Sequence, residues 1–139
     1  MTQEEKKLLF IDICARVPYY PYALFDLDKK FDGGFQAPII GMVNKGNTGV
    51  INYNQEFYAY GCMTPFSIDE FRIYLRPMSS MTEEECEEYD DISYGINNIG
   101  SKYKYYDLCD WLNSHHFDYR GLIPMDLALE AKERMYNLK

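Results

Sequence analysis

Four side chains that could do chemistry lie close together in one stretch, Tyr105–Leu122 (YYDLCDWLNSHHFDYRGL): His115, His116, Asp118 and Arg120. An imidazole changes charge near neutral pH, and a neighbouring carboxylate can hold it in one tautomer, so a histidine paired with Asp118 could act as a general base or acid. The same stretch contains both histidines of the chain and its only tryptophan. These residue types point to a small hydrolase or nuclease-like enzyme using His115 or His116 with Asp118.

Other chemistries have less support. Adjacent histidines diverge by about 100° on a helix, whereas two ligands for one metal need a spacing of three or four residues, so no metal site and no cofactor is expected. The four cysteines, Cys14, Cys62, Cys86 and Cys109, form neither a C-x-x-C pair nor zinc knuckles and read as reduced thiols. Cys109 lies two turns before His116 and cannot reach it along a regular helix. Cys14 or Cys62 could meet a histidine only through the fold. Neither a G-x-x-x-x-G-K phosphate loop nor a G-x-S-x-G elbow is present. Arg72 and Arg76 read as ordinary ion-pair partners.

The elements that must position these residues can be read from periodicity. Thr2 and Glu5 form a capping-box pattern, Phe10, Ile13, Cys14 and Val17 follow helical spacing, and Pro18 stops the helix by about Arg16. From Tyr22 to Cys62 short apolar runs alternate with turn signals: YALFDLD, Asp32-Gly33-Gly34, APIIGMV, NKGNTG, VINY and EFYAYGC. Such close spacing predicts antiparallel strands rather than βαβ units. SIDEFRIYLRPM, with Ser67 and Glu70 in capping positions, fits a short helix or a last strand, and Pro77 ends it.

Ser80 with Glu83 forms a third capping pattern, opening a helix whose acidic first turn suits the helix dipole. Ile92–Gly100 reads as a loop and 102–114 as a helix with Tyr105, Leu108, Cys109 and Leu112 on its apolar side and Trp111 beside them. Extended along the wheel, His116 follows Cys109 and Leu112, and His115 follows Leu108 and Trp111. The wheel thus turns both rings toward packing and favours a structural role at a helix C-terminus. Phe117, Tyr119 and Leu122 are expected to lock this helix end onto the sheet, leaving Asp118 and Arg120 as local partners. A short final helix over Pro124–Tyr136 is the remaining element. The fold class is α+β: one domain over 1–139 with a small antiparallel sheet or SH3-like partly open barrel at about 22–76. An N-terminal helix and two or three C-terminal helices pack with it.

With 139 residues the chain can bury one core. Its net charge of −8 and lack of a basic patch disfavour direct nucleic-acid binding. No run approaches the roughly 20 apolar residues of a membrane span, and the N-terminus lacks the order of a secretory signal, so a cytoplasmic protein is expected. Fourteen tyrosines combine large apolar rings with hydroxyls that need partners, and Glu83, Glu84, Glu87, Glu88, Asp90 and Asp91 crowd one helix. Together they suggest a surface that binds another protein.

Two segments, YLRPMSSMTEEE (Tyr74–Glu85) and WLNSHHFDYRGLI (Trp111–Ile123), with the tail Leu127-Ala-Leu-Glu-Ala, resemble a family of short proteins found in gut Bacteroidales genomes and in their phages and mobile elements. The likeness covers about a third of the chain and none of Asp26–Phe66. It implies kinship and a mobile-element context, and no activity or catalytic residue follows from it. The sequence therefore supports three readings: a non-enzymatic interaction or regulatory module, the histidine enzyme above, or an acidic nucleic-acid mimic that inhibits a DNA-handling protein.

Overall fold

The computed structural model describes residues 1–25, 34–43, 56–98, 100 and 102–136. The expected Asp32-Gly33 part of the first turn, the NKGNTG turn and the VINY strand lie outside these residues. The chain is α+β. Helix α1 (Gln3–Arg16) is followed by strands β1 (Tyr22–Phe25), β2 (Phe35–Val43), β3 (Glu56–Ala59), β4 (Phe66–Ser67) and β5 (Phe71–Leu75). Helices α2 (Glu83–Ile96) and α3 (Tyr105–Ser114) and a short strand β6 (Leu129–Glu130) complete it. The strands make one open sheet in the order β4-β3-β2-β1-β5-β6. Of the two expected arrangements, the antiparallel sheet is the one formed. Its exception is β6, which runs parallel to β5.

Helix α1 begins as its capping box requires: the Thr2 hydroxyl accepts from Glu5 N, and the Glu5 carboxylate accepts from Thr2 N, both at 3.1 Å. Its last turn tightens into a 3-10 turn at Val17–Tyr19 around Pro18. Alternate residues of β1, β2, β3 and β5 face the helix, which places Ala23, Phe25, Ala37, Ile39, Phe57, Phe71 and Ile73 in the core with Leu9, Phe10 and Ile13. Phe25 lies 4.9–5.3 Å from the rings of Phe35, Phe66 and Phe71. Burial of each such ring contributes roughly 1.5–3 kcal/mol. In β2 the register shifts between Ile39 and Gly41. The bulge sits beside Pro38, which has no amide to offer the ladder.

Several expectations change in the C-terminal half. The cap of α2 is Thr82 with Glu85, two residues after the predicted Ser80–Glu83 pair, because the chain first makes a 3-10 turn at Met78–Ser80. Helix α2 continues into the predicted loop as far as Ile96. Helix α3 buries Leu112 as expected, but it leaves Tyr105 71% exposed and Cys109 exposed, and it also buries Asn113. Pro124–Tyr136 forms turns and β6 rather than a final helix. Among the described residues, no helix is long and apolar enough to cross a membrane.

Candidate functional site

Helix α3 ends without a glycine. His116 occupies the left-handed position after the helix (φ 64°), a conformation that usually falls to glycine or asparagine. His116 N donates to Asn113 O at 3.1 Å, and Phe117 N donates to Leu112 O at 3.0 Å. These are the two bonds of a Schellman cap, and they satisfy carbonyls that the helix end leaves unpaired. The reversal turns the next residues onto the sheet edge: Arg76 N donates to His116 O at 2.7 Å and Asp118 N to Arg76 O at 2.8 Å. Phe117 is driven fully into the interior, as is Leu122.

Two arginines from elsewhere close on this corner. Arg76, just after β5, lies 4.2 Å above the Phe117 ring and makes two 2.7 Å bonds to the Glu85 carboxylate. That guanidinium holds the Glu85 carboxyl below its usual range. Arg76 also donates to His115 O at 3.3 Å, placing positive charge at the negative end of α3. On the inner side, Arg16 of α1 donates to Phe117 O at 2.7 Å and forms a wholly buried ion pair with Asp12 at 2.7 Å. Arg120 donates to the same Asp12 carboxylate at 3.1 Å.

The four candidate catalytic residues therefore have separate tasks. The Asp118 carboxylate accepts from Leu122 N and Ile123 N at 2.8 and 2.9 Å, fixing the following turn, and it holds neither imidazole. Arg120 pairs with Asp12 instead of Asp118. His116 is 7% exposed and stacks on Tyr136 at 3.7 Å. Burial, followed by the nearby charges of Arg16 and Arg76, lowers its proton affinity to a pKa of about 3, so the ring is neutral at ordinary pH. His115 stacks on Trp111 at 4.2 Å, and its Nδ1 lies 2.8 Å from Trp111 O. A carbonyl only accepts, so Nδ1 carries the proton in this bond. His115 borders an acidic groove of about 420 Å³ with Thr82, Glu84, Glu85 and Glu88.

Cys14 lies with its thiol 3.8 Å from the Met42 thioether, and burial raises its pKa, which disfavours the thiolate that nucleophilic attack requires. Among the described residues no cluster of three or more His, Cys, Asp and Glu is arranged to hold a metal ion. The candidate partner-binding residues Glu83, Glu84, Glu87, Glu88, Asp90 and Asp91 are all exposed on α2. Trp111 Nε1 donates to Glu88 at 2.9 Å, and Tyr89 packs on the same indole, so these contacts join the acidic helix to α3.

Sequence reasoning missed Asp12, Arg16 and Tyr136. The i, i+4 spacing of Asp12 and Arg16 on a helix was a usable signal for their pairing, though not for their burial. Tyr136 had no local signal: its hydroxyl accepts from Tyr22 N at 2.8 Å and donates to Tyr74 O at 2.7 Å, both contacts more than 60 residues away. Comparison of the chain with protein-family models, curated proteins and solved structures found no match.

Proposed function

We propose that this chain is a non-enzymatic interaction or regulatory module of phage or mobile-element context. It binds another protein through the acidic, tyrosine-rich surface of α2 and the start of α3. The observation that carries this reading is the arrangement of charge on α2. With 100° per residue, Glu83, Glu84, Glu87, Glu88, Asp90 and Asp91 fall within an arc of about 160°, opposite the buried Glu85 and Ile92. No lysine or arginine interrupts the helix, and Tyr94, Tyr105 and Tyr106 stand exposed on the same two helices. A partner with a basic face would gain steering from the carboxylates and contact area from the rings.

The roles of the histidine segment support a non-enzymatic reading. Asp118, Arg120 and His116 hold the backbone and the interior together instead of converging on a cleft. The one-sided carboxylate arc also favours a second reading, a nucleic-acid mimic whose target is the basic groove of a DNA-handling protein.

Affinity capture with the wild-type chain and with a variant carrying Gln at 83, 84, 87 and 88 and Asn at 90 and 91 tests the proposal. The expected outcome is a partner that the variant loses and that higher salt releases, because exposed charge pairs are screened within about 8 Å at physiological ionic strength. A partner retained equally by the folded variant overturns the acidic-surface reading. Competition of the captured partner by duplex DNA identifies the mimic.

A further inference from the structure

The hydroxyl of Tyr136 stands in the place of a ladder bond. Pro21, just before β1, accepts from Ile39 N of β2 at 2.8 Å. Backbone groups alternate in direction along a strand, so Tyr22 turns its N–H away from β2 and toward β5. The register of Ala23 with Ile73 sets Tyr74 opposite Tyr22. Between them lies the Tyr136 hydroxyl, which accepts from Tyr22 N at 2.8 Å and donates to Tyr74 O at 2.7 Å. The ring behind it stacks on His116 at 3.7 Å and packs obliquely on Tyr22 at 5.6 Å.

A ring slot with one donor and one acceptor at its end reads a tyrosine. Phenylalanine lacks the hydroxyl, and a serine or threonine hydroxyl has no ring to fill the slot. The notch is built without the segment that fills it: Tyr22 and Tyr74 belong to paired strands, and His116 is fixed through Asn113 O and Arg76 N. The side chain shown to fit the notch is Tyr136 itself, so a second copy of the chain carries the matching key. That segment is electrically neutral, Glu130 and Glu133 offsetting Lys132 and Arg134, whereas two whole chains of net charge −8 repel.

One reverse turn aims Tyr136 at the notch of its own copy. After β6, Ala131 N donates to Leu75 O at 2.7 Å, and Met135 N then donates to Lys132 O at 3.0 Å, folding the chain back. The third residue of that turn, Arg134, has φ 64°, a position that ordinarily falls to glycine or asparagine. A short connection under strain invites exchange of the segment beyond it between identical chains. Opening the turn relieves Arg134, leaves β6 on β5, and lets the four residues 133–136 extend up to about 14 Å outward. We propose that the notch formed by Tyr22, Tyr74 and His116 takes the Tyr136 of a second copy, and that two chains exchange residues 133–136 through the strained turn at Arg134. The exchange is reciprocal and closed, so each hydroxyl supplies the missing rung in the sheet of the other copy.

Refolding the full chain from urea at millimolar concentration, followed by sedimentation, tests the exchange. NMR of an equal mixture of isotope-labelled and unlabelled chains then reports which contacts cross between copies. The expected result is a dimer in which the His116 ring of one copy touches the Tyr136 ring of the other. Added salt is expected to tighten it by screening the repulsion of the two chains, opposite to the release expected for a partner held by the carboxylates of α2. Tyr136→Ala removes the key and is expected to give a monomer. Arg134→Gly accepts the left-handed turn without strain, so it favours the closed monomer and weakens the dimer by about tenfold for each hinge. This variant keeps the test decisive where Tyr136→Ala fails to fold, and neither substitution touches the acidic residues of α2. A chain that stays monomeric at every concentration overturns the proposal. So does a dimer whose His116–Tyr136 contacts lie within one chain, or one that Arg134→Gly leaves unchanged.

Discussion

Asp12 is the residue whose loss should be felt most, because it neutralises two guanidinium groups and Arg16 has no exposure to solvent. A buried pair is a weak stabiliser relative to well-packed apolar residues, yet removing one member strands the other. Asp12→Ala is therefore expected to cost about 3–5 kcal/mol in urea unfolding, a large part of the roughly 5–15 kcal/mol that holds a domain folded. Adding Arg16→Met should recover part of that loss, since the stranded charge is gone. A loss below about 1 kcal/mol for Asp12→Ala would contradict the buried-pair account. The sequence displayed the i, i+4 spacing of this pair, but such spacing ordinarily describes a solvated helix face. Burial comes from Phe117 and Arg120, 101 and 108 residues away, and no local pattern reports a contact at that range. The same limit applies to His115 and His116, each a catalytic candidate with Asp118 by residue type. Their types were visible, whereas the left-handed turn that sends one ring inward and lays the other on Trp111 was not.

Elements were easier to read where both of their ends carry a chemical signal. Helix α1 has a capping box at one end and Pro18 at the other, and its predicted span matches the observed Gln3–Arg16. Helix α2 is preceded by two overlapping capping patterns, and the turn at Met78–Ser80 decides between them. The Ser80 hydroxyl is spent on Pro77 O at 2.7 Å, whereas the Thr82 hydroxyl accepts from Glu85 N at 3.2 Å. Thr82→Ala is accordingly expected to cost about 1 kcal/mol and Ser80→Ala only a few tenths. Thermal unfolding of the two variants distinguishes the caps, and a larger effect at Ser80 would reverse the assignment. Helix α3 ended where its apolar pattern ended, but with histidine in the place of glycine its stop carried no recognisable mark. Strand β6 is two residues long and owes its existence to the free edge of β5, so the helical reading of Pro124–Tyr136 had nothing local to correct it.

At the scale of the whole molecule, acid should weaken the fold earlier than carboxylate chemistry alone would. The folded His116 takes up a proton only near pH 3, whereas an unfolded histidine does so near about 6.5. Between these values the unfolded chain binds more protons, so stability rises with pH and is lost as pH falls from about 6.5, by up to about 1.4 kcal/mol per pH unit. The Glu85 carboxyl, held low by Arg76, adds a contribution present above the ordinary carboxylate range and lost below it. Denaturant unfolding at pH 7, 6 and 5 is expected to show a steady decline that His116→Asn flattens. A wild-type profile level across that range would be inconsistent with a buried neutral imidazole. The contacts around this ring also constrain the order in which the chain can fold. Asp12 with Arg120, Arg16 with Phe117 and Tyr22 with Tyr136 are separated by 108, 101 and 114 residues, so each closes a long loop. During synthesis the charges of Asp12 and Arg16 wait for Arg120 and Phe117, more than 100 residues later, so α1 cannot complete its docking until Arg120 has left the ribosome.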